Sequence, residues 1–365
     1  MNSFLLRMAD VREPELGRWR ELSARALEPN PYFEPEFVLP AARRLGEDGA
    51  SLLVVTGGEG DWLACLPVSF AARWKRLPIA ALAAWRHLYC FLGTPLLAPD
   101  QPEEAIAQLI DRGLHCGERA RMLVLEWIRA DGPVAEALRT TLDAKPRRAL
   151  QFEAFERAAL VRRDEADYVE NTLRPHHRRE LRRLGRRLSE EMGAPLEVRD
   201  LSQDPSMIER FIAMEASGWK GRRGTAFAAQ EGHQEFFAEV CDEFRTAGRL
   251  QLLALEAGDR TAALKCNLLA GDEVFCFKIA YDEAYARFSP GVQLEERTVT
   301  IFHERMSERL MDSCAASDNE MINRLWPDRR PFVSYAVPSA GASGWASMRG
   351  LEAAYQVHNR LRKAS

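Results

Sequence analysis

The chain has 365 residues, of which 46% are hydrophobic and 28% are charged, and its formal net charge is -4 at pH 7. This composition supports a large buried core and excludes a chain that is disordered throughout. The mildly acidic balance also excludes a protein that is basic overall, as many nucleic-acid-binding proteins are. The length exceeds that of a usual single domain and therefore predicts two domains.

Apolar runs and cysteines indicate the expected compartment. No apolar stretch reaches the roughly 18 residues of a membrane helix, and the N-terminus meets charge at Arg7 without a small-residue cleavage site. The seven cysteines are scattered, odd in number and without a CxxC pair. This pattern is typical of a reducing compartment, so we expect a cytoplasmic protein with no membrane span and no signal peptide. The seven histidines lack metal-ligand spacing, and we expect no metal site.

Helices and strands alternate along the first half of the chain, which is an α/β pattern. The three prolines in EPNPYFEPEF, at 28–37, predict a break after the first helix. The predicted elements are a helix at 13–27, two strands within 51–70 around a Gly-rich turn, a helix at 102–120, a strand at 121–128, a helix at 134–142 and a strand at 150–155.

A long helix, Glu165 to Met192, begins the second half, which then repeats a similar order. The predicted elements are a strand at 196–201, helices at 204–219 and 233–248, three strands between 249 and 282, a helix from 290 and a strand at 309–315. We therefore expect an N-terminal unit at 1–160, a C-terminal catalytic unit at 161–338 and a loosely attached tail at 339–365 with a weak final helix.

The tight turn at Gly271-Asp272 predicts a hairpin in which the residue numbers of each cross-strand pair add up to 543. In that register, Lys265 lies opposite Lys278, and Asn267 lies opposite Cys276, all on one polar face. Two like charges placed directly opposite destabilise a sheet unless something neutralises them. The face is therefore either solvated, or it lines an anion site or an acceptor pocket.

The helix after this hairpin begins with Ser289-Pro290-Gly291. Serine suits the N-cap, and proline suits the first helical position. Glycine inside a helix costs about 1 kcal/mol relative to alanine. Because helix N-termini bind anions readily, the glycine predicts close approach of a bulky anion to the backbone. The alternative is an ordinary helix start. A buried stripe is predicted at Val292, Val299, Phe302, Met306 and Leu310.

Two further stretches allow either a structural or a functional interpretation. SGWKGRRGTAF, Ser217 to Phe227, is a mobile acceptor lid or an ordinary surface loop anchored by Trp219. Seven arginines lie between Arg174 and Arg187, beside a leucine stripe at 181, 184 and 188. That helix is either a solvated linker or a site for a phosphate-rich partner such as RNA or the nucleotide part of a cofactor.

Several enzyme classes are excluded because their defining residues do not occur. The sequence contains no Walker loop, no GxGxxG after a strand, no GxSxG and no HExxH.

Motifs in the correct order give the chain a family resemblance. The pieces are SGWKGRRGTA, KIAYDEAYARFSPGVQL and MDSCAASDNEMINRLWPDRRPF, preceded by HHRRELRRLGRRLSEEMG and, earlier, by PNPYFEPEFV and FLGTPLLAP. Over most of residues 15–335 the chain resembles the CelD-like acetyltransferases of the GNAT superfamily, which are related to Fem-type peptidyltransferases. The resemblance implies two tandem GNAT-like units, each with a mixed, largely antiparallel twisted sheet flanked by helices.

The same resemblance implies a donor site. In the superfamily, acyl-CoA enters beside the fourth strand, which corresponds here to Val274–Tyr281, and its pyrophosphate binds the following helix start. The implied cofactor-binding residues are Phe277, Ile279, Ser289, Pro290, Gly291 and Val292. The Gln/Arg-x-x-Gly-x-Gly/Ala loop of the broader superfamily is absent.

Acyl transfer to an amine or hydroxyl is the main functional hypothesis. It needs a base for the nucleophile and stabilisation of the oxyanion. Glu215 and Asp282 are the candidate bases, Tyr281 the candidate proton donor to the leaving thiolate, and Lys278 a positioning group; backbone N–H groups near Phe277–Ala280 would stabilise the oxyanion. The expected acceptor is a small molecule, peptide or saccharide, and its candidate binding residues are Trp219, Lys220, Lys265, Asn267, Asp312, Asn323 and Trp326.

Two rival hypotheses remain. One is an aminoacyl-tRNA-dependent Fem-like transferase, which the arginine-rich helix favours. The other is a non-catalytic binding or scaffold protein that retains the fold.

Overall fold

The structure is a computed structural model that describes residues 1–46, 49–75, 77–115, 120–144, 149–163, 175–224, 226–341, 344, 346–353 and 355, without the side chains of Trp219 and Lys220. It divides into two compact units. As far as their residues are described, the first comprises 1–42, 47–156 and 331–365, and the second comprises 43–46 and 157–330.

The first unit contains a mixed sheet in the order β1-β2-β3-β4-β6-β13, with the short β5 paired to β3. Neighbours are antiparallel except for β4 and β6, which run parallel. The strands are β1 (Asn2–Arg7), β2 (Ser51–Thr56), β3 (Trp62–Ala71), β4 (Ala81–Ala84), β5 (Leu96–Leu97), β6 (Met122–Arg129) and β13 (Asp328–Pro338). The helices are α1 (Glu13–Arg25), α2 (Pro35–Arg44), α3 (Pro102–His115) and α4 (Pro133–Ala144).

The second unit contains a sheet in the order β7-β12-β11-β10-β9-β8, antiparallel except for β11 and β12. The strands are β7 (Leu150–Val161), β8 (Glu197–Asp200), β9 (Leu250–Ala257), β10 (Arg260–Ala270), β11 (Glu273–Tyr281) and β12 (Leu310–Asp312). The helices are α5 (Pro175–Met192), α6 (Ser206–Ser217), the short α7 (Trp219–Arg222), α8 (His233–Thr246), α9 (Pro290–Arg305) and α10 (Glu320–Leu325).

The two sheets repeat one topology. In each sheet, four strands pair antiparallel in chain order, β1 to β4 in the first and β8 to β11 in the second. The fourth strand runs parallel to a fifth, which is β6 or β12. The fifth strand pairs antiparallel with a sixth, which is β13 or β7. Apart from residues 43–46, the chain leaves the first unit within β7 and re-enters it within β13. The predicted fold class, two tandem α/β units with mixed, largely antiparallel sheets flanked by helices, is therefore confirmed.

Helices cover both faces of the second sheet. Adjacent residues of a strand point to opposite faces. Cys266 of β10 lies 3.9 Å from Cys241 of α8, measured between sulfurs, whereas Lys265 forms an ion pair with Glu295 of α9. The α8 face and the α9 face are therefore opposite sides of this sheet.

Several boundaries differ from those predicted. The first helix ends at Arg25, before the proline-containing stretch, as predicted, but a further helix, α2, starts at Pro35, where the missing N–H costs nothing. Residues 331–338, expected in the C-terminal unit, belong to β13 and pair with β6. The tail is helical at 346–353, and Met348 and Leu351 are buried in the core of the first unit. Of the long helix, 175–192 is helical, and residues 164–174 lie outside the described part.

The predicted hairpin register is wrong beyond Asn267. Asn267 does pair with Cys276, but a β-bulge follows, because Cys266 pairs with Lys278 rather than with Phe277. Lys265 therefore pairs with Ile279 rather than with Lys278, and Lys278 pairs with Cys266. The extra residue moves the two lysines to opposite faces of the sheet, which removes their repulsion.

Candidate active site

An opening in the second sheet defines the candidate site. β12 pairs with β11 only over Glu273–Phe275, because β12 is three residues long. Beyond Phe275, among the described residues, no strand pairs with β11 on that side, although β11 continues to Tyr281. An extended ligand can lie along a strand edge of this kind, as an added strand does.

A cavity of about 440 Å³ lies at the end of β11. Three consecutive residues of β11, Ile279 to Tyr281, form part of its wall, and the first residues of α9 form another. The other lining residues come from the end of α6, from the loop before α9 and from the segment that leads into α10. The lining residues are Met214, Glu215, Gly218, Ile279, Ala280, Tyr281, Ala286, Ser289, Pro290, Gly291, Val292, Asn319 and Met321.

The start of α9 faces this cavity. Ser289 occupies the N-cap position as predicted, but its backbone is left-handed (φ 53°, ψ 54°) and its side chain makes no capping hydrogen bond. Its carbonyl accepts from the N–H of Gln293 at 3.0 Å. The N–H groups of a first helical turn have no acceptor within the helix and carry partial positive charge. Gly291 and Val292 provide two of them beside the cavity.

Gly291 is not required by the backbone, since its φ is not positive. A Cβ built on it lies 3.6 Å from Tyr281 Cδ1 and 3.7 Å from Ile279 Cδ1, which are ordinary van der Waals distances. Both neighbours line the cavity, so a side chain here would occupy cavity space rather than clash with the fold. The residues therefore fit a group that approaches the helix start closely, such as the pyrophosphate of a coenzyme.

Glu215, near the end of α6, is the charged residue among those that line the cavity. Its side chain is buried, and Oε2 accepts a hydrogen bond of 2.9 Å from the N–H of Phe227. This bond ties the loop after α6 to the cavity wall. Arg222 of the same loop forms an ion pair with Glu283 at 2.5 Å. The stretch predicted as an acceptor lid therefore has two polar contacts that position it.

The other predicted catalytic residues lie in different surroundings. Tyr281 lines the cavity. Asp282 caps the 3-10 helix Glu283–Phe288 by accepting from the N–H of Ala284 at 2.9 Å, and it is not among the lining residues. Lys278 lies 4.8 Å above the Phe227 ring, on the α8 face, and Phe277 stacks on Phe237 on that same face.

Most of the predicted acceptor residues lie in the core beneath α9. Lys265 and Glu295 form a buried ion pair of 2.6 Å, and the Lys265 ammonium lies 5.3 Å from the Trp326 ring. Asn267 is buried and donates to Gln251. Asn323 of α10 is half-buried and donates to the Ser317 carbonyl at 2.8 Å.

Asp312 is buried between two arginines. Its carboxylate contacts Arg157 at 2.6 Å and Arg330 at 2.9 Å. None of Lys265, Asn267, Asp312, Asn323 or Trp326 is among the described lining residues of the cavity. The side chains of Trp219 and Lys220 lie outside the described residues.

Sequence reasoning missed several lining residues. Met214 and Gly218 adjoin the predicted residues Glu215 and Trp219, and Ala286 lies within the quoted stretch KIAYDEAYARFSPGVQL. Asn319 and Met321 lie in the motif MDSCAASDNEMINRLWPDRRPF, within which the predicted site residues are Asp312, Asn323 and Trp326. Asn319 also caps α10 by accepting from the Ile322 N–H at 3.2 Å.

Metal sites and membrane spans are two further features for which the described residues are informative. Across these residues there is no group of three or more His, Cys, Asp or Glu side chains that could hold a metal ion. Within the same part of the chain, no helix is both long and apolar enough to cross a bilayer.

Comparison with known proteins connects the second unit to acyl transfer. Residues 175–310, a little over a third of the chain, match the model of the acetyltransferase (GNAT) domain. This range contains α5, the cavity walls formed by α6 and β11, and the start of α9. No curated protein matches the chain.

Solved structures share the fold over almost the whole chain. FemX is 10% identical, with a TM-score of 0.60 over 92% of this chain and 97% of its own. The C-terminal domain of a putative lysylphosphatidylglycerol synthetase from Agrobacterium fabrum is 13% identical, with a TM-score of 0.56 over 91% and 94%. L-PGS from Bacillus licheniformis is 11% identical, with a TM-score of 0.54 over 91% and 93%. At these identities the likeness shows a common fold.

Residues 175–310 of the second unit thus match a GNAT-type acetyltransferase domain, and the first unit repeats the strand order of the second. These findings support acyltransferase chemistry in general.

Proposed function

We propose that the second unit transfers an acyl group from acyl-CoA to an amine or hydroxyl of a small-molecule, peptide or saccharide acceptor. The observation that carries this proposal is the cavity in which the end of β11, beyond its pairing with β12, meets the helix start at Gly291. An open strand edge suits an extended amide chain, and a helix N-terminus suits a pyrophosphate. Acyl-CoA contains both an extended amide chain and a pyrophosphate, and the strand edge and helix start that suit them adjoin in this cavity.

The donor would be held by backbone groups. Gly291 and Val292 would donate their N–H groups to its phosphate oxygens, and Ser289 and Pro290 would shape the approach. Ile279 would line the passage beside β11. When bound, acyl-CoA would supply the thioester carbonyl whose acyl group is transferred. N–H groups of β11 near Ile279 would donate to the oxygen of that carbonyl and stabilise the charge that develops there.

Proton transfer is assigned to two residues of the cavity wall. Glu215 would accept the proton of the attacking amine or hydroxyl, since a carboxylate within the cavity is a suitable general base. Its bond from the Phe227 N–H holds it in place. Tyr281 would donate a proton to the leaving sulfur. Asp282 is the less favoured base because its carboxylate caps a helix instead.

Thermal denaturation with coenzymes tests the donor. A ligand at 100 times its dissociation constant adds about 2.7 kcal/mol to the free energy of unfolding. We expect acetyl-CoA or a longer acyl-CoA to raise the melting temperature of the full chain. The absence of a shift with every acyl-CoA, together with one for aminoacyl-tRNA, would favour the Fem-like alternative. No shift with either class would favour a non-catalytic scaffold.

Gly291→Val tests the location of the donor site. The valine side chain would fill the space between Ile279 and Tyr281, so we expect acyl-CoA to lose its thermal shift while the fold persists. Gly17→Val is the matched control, because Gly17 is also a helical glycine and a Cβ there meets nothing within 4 Å. If Gly291→Val and Gly17→Val bind donor equally, the helix start does not hold the donor.

Glu215→Gln tests the base without removing its structural bond, because the amide oxygen can still accept from the Phe227 N–H. We expect turnover, measured as release of free CoA thiol, to fall by at least tenfold to a hundredfold, in line with general-base catalysis. The donor-induced thermal shift should remain. Full turnover in Glu215→Gln, with loss of turnover in Asp282→Asn, would transfer the role to Asp282.

A further inference from the structure

A second concave surface lies away from the donor cavity, between α5 and α9. This groove has a volume of about 990 Å³ and is closed at one side by the chain that leads into β8. Six of its lining residues are arginines, from both helices, and Glu296 is the acidic residue among those described. The arginines are Arg179, Arg182, Arg183, Arg186, Arg297 and Arg305. In a chain whose net charge is -4, this concentration of positive charge is local.

The two helices hold this groove in shape through close contact at its base. Leu181 and Leu188 of α5 are buried, as the leucine stripe predicted. Gly185 lies against Gln293, and a Cβ added to it would come within 3.1 Å of the Gln293 Oε1. Gln293 also donates to the Leu181 carbonyl at 2.8 Å. The arginines therefore extend from a fixed backbone on both sides of the contact.

The spacing of the arginines indicates the shape of the ligand. On α5 they recur at 179, 182 and 183, and 186, which is once per helical turn, about 5.4 Å. On α9, Arg297 and Arg305 lie roughly two turns apart on the facing wall. A single phosphate would contact one or two of these groups. A row of cations along both walls instead suits a linear polyanion with regularly spaced phosphates.

The remaining lining residues distinguish between polyanions. No aromatic side chain is among the described lining residues, so bases would have no platform for stacking. The leucines of α5 face inward, which leaves no apolar stripe on that helix to enter a lipid surface. These features favour contact with a nucleic-acid backbone over base recognition or membrane insertion.

We propose that the groove between α5 and α9 binds the phosphate backbone of a nucleic acid strand without regard to sequence. This proposal is independent of the donor proposed for the cavity, because the two sites share no lining residue.

Fluorescence anisotropy with the full chain tests the groove. Two labelled single-stranded RNAs of unrelated sequence should bind with similar affinity, in the range of about 10⁻⁴ to 10⁻⁶ M at physiological salt. Arg183 and Arg297 already form ion pairs with Glu180 and Glu296. If the other four arginines contact phosphates, the slope of log K against log salt should be about -3, since each contact contributes about -0.7 for a single strand.

Matched variants separate the groove from net charge. Arg182→Gln combined with Arg186→Gln should reduce the steepness of the slope by about 1.4 and weaken binding. Arg187→Gln combined with Arg210→Gln removes the same charge from exposed residues that do not line the groove. This control pair should change neither the salt slope nor the affinity for RNA. Equal effects of the two pairs would overturn the proposal, because binding would then follow net charge alone.

Two further outcomes would also overturn it. Binding to phosphatidylglycerol vesicles without binding to either RNA would assign the groove to a membrane surface. Loss of the acetyl-CoA thermal shift in the Arg182/Arg186 variant, with RNA binding unchanged, would assign it to the donor. The expected result is weakened RNA binding with the acetyl-CoA shift retained.

Discussion

The buried ion pair between Lys265 and Glu295 connects β10 to α9 directly beneath the candidate site. Its Nζ and Oε2 atoms lie 2.6 Å apart, and Lys265 is 1% exposed. Glu295 is one helical turn beyond Gly291 on the same helix face, and Lys265 pairs with Ile279 of the cavity wall. Lys265→Met would leave the carboxylate buried without its partner. Removing one member of a buried pair typically costs about 3–5 kcal/mol, and we expect that loss here.

The double variant Lys265→Met, Glu295→Leu distinguishes this effect from simple loss of packing. Replacement of both members by apolar residues of similar volume is often neutral or stabilising. We therefore expect the double variant to recover most of the free energy of unfolding that the single variant loses. The exposed pair Arg183 and Glu180 is the control, and Arg183→Met should leave the unfolding transition unchanged.

Urea denaturation followed by tryptophan fluorescence measures these changes, since Trp326 lies beside the Lys265 ammonium. Burial alone lowers the pKa of Lys265, but Cys276 and Glu295 outweigh it, and the pKa lies above its ordinary value. A raised pKa means that the stabilisation is complete below about pH 10.4 and is lost only as pH rises through the folded value. The Lys265→Met loss should thus be constant from pH 6 to 9. A double variant as unstable as the sum of both single variants would refute the reasoning.

Three other changes probe single contacts. Burial raises the pKa of Asp312, but Arg157 and Arg330 outweigh it and hold the pKa below its ordinary value. The stabilisation is therefore present above about pH 3.9 and is lost as pH falls through the lower pKa of the folded state. In urea titrations, the difference in free energy of unfolding between the parent and Asp312→Asn should be constant from about pH 5 to 8 and should narrow below about pH 4. In the same assay, Glu215→Ala should lower the free energy of unfolding by about 1.5–3 kcal/mol, because a hydrogen bond to a carboxylate disappears. Glu215→Gln should lower it less, and equal losses for the two variants would contradict this reasoning. Ser289→Gly should raise the melting temperature slightly by relieving a left-handed backbone, and a clear fall would contradict that.

Sequence patterns predicted most elements because each has a strong local cause. The alternating order gave the tandem α/β architecture, and the proline and glycine at 290 and 291 marked the start of α9 within one residue. Local chemistry also singled out the helix start that lines the cavity. Helical periodicity gave a wrong prediction at Leu310, which was expected in the buried stripe of α9 but is the first residue of β12. A strand of only three residues is too short to show a periodicity of its own.

The acceptor assignments show a different limit. Lys265, Asn267 and Asp312 are polar, so a sequence alone suggests that they face solvent or ligand. In the structure each is buried beside a partner from a distant segment, namely Glu295, Gln251 and Arg157 with Arg330. Buried polar groups require such partners, but only the tertiary fold supplies them. Whether a charge serves catalysis or the core is therefore not decided by residue type or by spacing along the chain.

One inserted residue determines which side chains form the cavity wall. Strand side chains alternate, so a shift of one residue exchanges the two faces of everything beyond it. Without the bulge at Phe277, Lys278 would face α9 opposite Lys265, and Ile279 would turn toward α8. With the bulge, Ile279 and Tyr281 face Gly291, while Lys278 lies over Phe227. The local pattern of β11 carries no glycine or proline that marks a bulge. At the bulge, Phe277 packs on Phe237 and the two cations lie on opposite faces of the sheet, and both arrangements involve residues far away in the chain.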